Sequence, residues 1–163
     1  MQRGFTLIET VIYIALFGLI MGGFATASYM LMQSAGRNQT KAMMQEEANY
    51  LIGKINYTLT GAGSVSQPAQ PVLPAVQTSG ATLTALKYGA GSSNTVDLSA
   101  GGLRLNGVVL SNSNVTISNL VFIHAFAGGS NPESVEAGFT ISATTTSGAK
   151  VAEIASTTVY IRK

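Results

Sequence analysis

Charge is the scarcest commodity in this chain. Asp, Glu, Lys and Arg together supply only 10% of 163 residues, while 46% are hydrophobic. So little charge points to a poorly soluble monomer, or to one housed in an assembly or a membrane. The charges that exist sum to +2, and the basic ones lie scattered; Lys87, Arg104 and Lys150 stand alone, and among basic residues only Arg162 and Lys163 adjoin. That is no basic stripe, so charge gives no support to nucleic-acid binding. Cysteine is absent, which excludes disulfides, CxxC redox chemistry and thiolate metal sites. Tryptophan is absent too, and the single histidine, His124, leaves little scope for imidazole catalysis or a multi-histidine metal centre. His124 sits in Leu-Val-Phe-Ile-His-Ala-Phe-Ala, where alternation sets it beside Phe122 and Phe126 as a satisfied sheet histidine. No GxSxG elbow occurs, and no glycine-rich phosphate loop follows a strand. Glu133 and Glu136, next to a Gly-Gly-Ser-Asn-Pro stretch, read as solvated loop carboxylates rather than an acid–base pair. Neither an enzyme nor a cofactor is expected.

What the chain has in abundance is apolar length at its start. Residues 5–32 are almost wholly apolar, and no formal charge lies between Glu9 and Arg37. At about 1.5 Å per residue such a helix reaches about 42 Å, enough to cross a hydrocarbon core of about 30 Å with some tilt. The run is too long for the apolar region of a signal peptide. Three readings remain open at this point. Ala25-Thr26-Ala27 has the small-x-small pattern of a secretory cleavage site, which would release a domain starting at Ser28. A plain membrane anchor explains the length but not Glu9. The third reading asks why the carboxylate is there. A charged residue at the middle of a membrane helix costs about 2.5 to 3.5 kcal/mol. Near the helix N-terminus the dipole offsets about 0.3 to 1 kcal/mol of that. No cation lies within the segment, so a neutralising partner must come from another molecule or from a newly made amino terminus.

Gly4-Phe5-Thr6-Leu7-Ile8-Glu9 resembles the processing motif of type IV prepilins and pseudopilins. The resemblance implies a leader of residues 1–4, cleavage between Gly4 and Phe5, and N-methylation of Phe5, by a prepilin peptidase/N-methyltransferase. It implies that Glu9 is an assembly carboxylate that pairs with the terminal amine of a neighbouring subunit. Implied partners are other pilin or pseudopilin subunits, an inner-membrane assembly platform and the lipid bilayer. The implied location is the bacterial inner membrane, single-pass with a cytoplasmic N-terminus, and later an extracellular or periplasmic filament. Arg3 favours that orientation, whereas Arg37 and Lys41 oppose it. Gly18 and Gly22 form a small-xxx-small pair suited to close helix packing in lipid. Many family members carry a proline in this part of the helix; this chain has none there.

After Met32 the pattern turns amphipathic. Met44, Ala48, Leu51, Ile52, Ile55 and Leu59 recur at spacings of three and four, the stripe of a one-sided helix. The spacing predicts one helix over 5–59, about 80 Å long, ending near Gly61. Residues 61–80, with Pro68, Pro71 and Pro74, read as an extended connector. From 81 onward the chain reads as short strands: 82–88, 95–99, a hairpin turning at Asn106-Gly107, a long strand over 114–126 broken near Asn119, 136–145, and 150–161. The expected fold is therefore α+β: leader 1–4, membrane or assembly helix 5–32, amphipathic helix 33–60, linker 61–80, and a head over 81–163 of six or seven antiparallel strands in one sheet or two. Asn38-Gln39-Thr40, Asn56-Tyr57-Thr58 and Asn114-Val115-Thr116 are glycosylation-type triplets that a Thr-rich chain produces by chance.

Overall fold

A computed structural model describes residues 6–69, 77–87, 91–125 and 132–161. It has one long N-terminal helix packed with antiparallel β-sheets, an α+β pilin-like architecture. The chain divides into two units, Met1–Gln39 and Thr40–Lys163.

In the first unit the described residues form only the beginning of α1, the helix Leu7–Thr60. None of its large apolar side chains up to Met32 is buried; Leu7 is 83% exposed, Leu19 79% and Phe24 70%. Among the described residues α1 alone is long and apolar enough to cross a membrane, with a mean hydropathy of 2.0 over its best window.

In the second unit α1 turns one face inward. Met44, Ala48, Leu51, Ile55, Thr58 and Leu59 are buried, and Ile52 packs beside them, as the three-and-four spacing predicts. The last turn is closed by side chains: Thr58 Oγ1 donates to the Lys54 carbonyl at 2.8 Å, and Thr60 Oγ1 to that of Asn56 at 2.7 Å. Each is a hydroxyl bonding back four residues to a carbonyl of its own helix, a local side-chain bond beside the backbone ladder.

Nine strands follow among the described residues: β1 Ala62–Gln67, β2 Gln77–Gly80, β3 Leu83–Lys87, β4 Ser93–Ser99, β5 Gly102–Leu105, β6 Val108–Val109, β7 Thr116–Ala125, β8 Ser134–Thr144 and β9 Lys150–Tyr160. They make two antiparallel sheets, ordered β1-β3-β4-β5-β6 and β2-β7-β8-β9. The core is shared. The helix stripe meets Val65, Leu83, Val96 and Leu103 of the first sheet and Ile117, Phe122, Phe139 and Ile141 of the second. β8 shows the pattern most plainly: Val135, Ala137, Phe139, Ile141 and Ala143 are all buried on one face.

The expected hairpin forms as read. Leu105 faces Val108, and Asn106 and Gly107 hold φ of 52° and 82°, the two left-handed residues of a type I′ turn. The break in the long strand is real as well. Asn119 has φ 53°, and the β7–β8 register shifts between Ser118 and Val121, as a bulge requires.

Two expectations need correction. The stretch 61–80 is not a bare connector: β1 starts two residues after α1 ends, and β2 closes the stretch. Ala-Gly-Ser-Val-Ser-Gln has weak strand propensity, yet it pairs with β3 through two register shifts and buries Ala62 and Val65. Tertiary pairing outweighs local preference there. Pro71 and Pro74, which carried the connector reading, lie outside the described residues. Those two extra strands also raise the count above six or seven.

Candidate functional site

The candidate site is the start of α1. Gly4 and Phe5, the expected cleavage and methylation residues, lie outside the described residues. Just beyond them Thr6 opens the helix. Its carbonyl accepts the Glu9 N–H at 3.1 Å and the Thr10 N–H at 3.3 Å, and Thr10 Oγ1 also donates to it at 3.3 Å. Glu9 is the one acid in the first turn, where the helix dipole favours a negative charge.

Thr6 and Glu9 also have the Thr-x-x-Glu spacing of a capping box, which sequence reasoning passed over. The bond observed between them is backbone to backbone. The helix dipole is a local reason for an acid at this position, but not for the apolar surface around it. The carboxylate stands, half-exposed, among Leu7, Ile8, Val11, Ile12 and Tyr13, each more than half exposed. Such a surface needs lipid or other helices.

Gly18 and Gly22 meet nothing within 4 Å that a Cβ added there would touch. Nothing in the chain itself requires glycine at either position.

Residues 1–25 match the family model for the prokaryotic N-terminal methylation motif. This is the processing signal of type IV prepilin-like proteins. The match covers Gly4, Phe5, Glu9, Gly18 and Gly22, and it supports a type IV pilin-like precursor. The signal and the apolar helix that contains it are consistent with membrane anchoring. No curated protein and no solved structure matches the chain, so the prepilin-like assignment rests on this N-terminal segment.

Away from the helix start, two pairs of titratable groups in the head meet each other. His124 is 0% exposed and Glu133 4%. His124 Nε2 lies 2.8 Å from Glu133 Oε1, and Nδ1 lies 3.0 Å from the Pro68 carbonyl. The expectation of a satisfied sheet histidine holds. The expectation of a solvated Glu133 does not, because β7 delivers an imidazole to it. Sequence gives no hint of that pairing, since it joins residues from a strand and from a loop of irregular backbone. Asp97 and Arg104 stand opposite each other on β4 and β5 and make a two-point ion pair. The hydrogen bond that Arg104 donates to Asp97 holds the guanidinium above its ordinary pKa, with desolvation opposing. Among the described residues no group of His, Asp or Glu is arranged to hold a metal ion.

Proposed function

We propose that this prepilin-like chain is a non-catalytic structural subunit, a minor pilin or pseudopilin, of a type IV pilus-like or type II secretion-like filament. The observation that carries the reading is the bare first part of α1, with Glu9 in its opening turn and the methylation motif around it. On this reading a prepilin peptidase cuts after Gly4, and Phe5 becomes the N-methylated terminus. The helix over 5–32 waits in the inner membrane and then enters a helical bundle, drawn in by the assembly platform. The bilayer or neighbouring helices cover its apolar surface in turn. Glu9 meets the terminal amine of an adjoining subunit, and Gly18 and Gly22 let helix backbones approach. The two-sheet head stays on the outside.

Mass spectrometry of the mature protein tests this. An N-methylated chain starting at Phe5 is the expected result. A chain retaining Met1 would indicate a tethered domain that never polymerises, and a start at Ser28 would indicate secretion. Either would overturn the proposal.

A further inference from the structure

We infer that Lys41 and Glu46 form a second ion pair between neighbouring copies of this chain, one that fixes the axial register of adjacent α1 helices. The inference rests on the filament reading above.

Both side chains are exposed on the second unit, and among the described residues neither takes part in an ion pair. Nor can their own helix satisfy them. A helical partner must stand three or four positions away. For Lys41 those positions hold Arg37, Asn38, Met44 and Gln45; for Glu46 they hold Ala42, Met43, Asn49 and Tyr50. Lys41 has no acid within reach, and Glu46 has no base. The neighbouring acid, Glu47, is already used: its Oε1 accepts the Asn112 N–H at 2.7 Å.

The two residues also project differently. Five positions turn an α-helix by about 500°, so Lys41 and Glu46 point about 140° apart. They cannot meet within one helix, but they can meet between two. A contact that joins two different faces of identical subunits is heterologous, and that kind of contact propagates into an open helical assembly. Helices packed at about 8–10 Å lie within reach of a Lys–Glu pair.

If a parallel copy slides toward its own C-terminal end, its Lys41 comes level with Glu46 of the unshifted copy after five residues, about 7.5 Å.

Charge reversal tests the pair, with the full chain expressed in a filament-forming cell and filaments recovered by shearing. K41E and E46K should each cut incorporation about tenfold, since like charges then face across the contact. K41E/E46K should restore it, because the swap rebuilds the pair in the opposite sense. Circular dichroism checks that each variant keeps its fold. In a second measurement, K41C/E46C is treated on intact filaments with a short bismaleimide. The native chain has no cysteine, so a ladder of this chain's multimers reports the contact directly.

Normal incorporation of both single variants overturns the inference. Loss in K41E without recovery in the double variant also overturns it, and assigns Lys41 to lipid phosphates. A cross-link to a different subunit overturns the copy-to-copy contact. If the unaltered chain never enters filaments, it is the filament reading itself that fails.

Discussion

His124 has an oxygen acceptor on each side of its ring, and that sets the proton count of the buried pair. The Pro68 carbonyl can only accept, so Nδ1 must carry hydrogen and donate to it. One further proton lies between Nε2 and Glu133 Oε1. The pair is either imidazolium with carboxylate or imidazole with carboxylic acid, and it is neutral overall in both cases. Breaking a buried pair by removing one member costs about 3 to 5 kcal/mol, so H124A should destabilise the detergent-solubilised chain by that amount in thermal unfolding. E133Q should cost less than about 1 kcal/mol, because its amide donates to a neutral Nε2. E133A removes the other member and should likewise cost about 3 to 5 kcal/mol. The Asp97–Arg104 pair behaves differently. A base whose pKa is raised on folding contributes stability below its ordinary pKa and loses it only as pH rises through the raised value. For Arg104 that window is strongly alkaline, so the loss caused by R104M should be the same in mildly acidic and mildly alkaline solution.

Among the elements, the β5–β6 hairpin and the first part of α1 show how local chemistry and missing partners divide the sequence. Asn106 holds a left-handed φ, its Oδ1 accepts the Thr95 N–H at 2.8 Å, and its Nδ2 donates to Asn94 Oδ1 at 3.0 Å. N106A should therefore cost about 1 to 3 kcal/mol, read from the same unfolding curves, through backbone strain and two lost side-chain bonds. This hairpin was legible because Asn-Gly states its own geometry. The amphipathic part of α1, β8 and the break at Asn119 were legible for similar reasons: spacing, alternation and turn chemistry are local. β1 and β2 were not, since their strand character comes from β3 and β7, which lie far along the chain. Gly22 is the opposite case. A Cβ there touches nothing in the chain, and alanine favours an isolated helix by up to about 1 kcal/mol. G22A should leave insertion and leader removal unchanged, and G22L should lower filament yield in a shearing assay. Equal yields for G22L and the unaltered chain would remove Gly22 from any helix contact.

At the level of the whole molecule, the amphipathic part of α1 and the two sheets share one core, and none of the large apolar side chains at the start of α1 is buried. Sequence foresaw this asymmetry, because a run of apolar residues without polar alternation cannot be one-sided. It could also name Glu9, Gly4 and Phe5 from a short motif. It left one sheet or two open for the head, because that division depends on pairings between distant strands. The account turns on Glu9 being neutralised by an adjoining subunit once its helix leaves the lipid. The most direct measurement is the incorporation of E9A into filaments sheared from cells that process it normally. The account predicts that E9A inserts in the membrane, loses residues 1–4, and is absent from the sheared fraction. Full incorporation of E9A would contradict it.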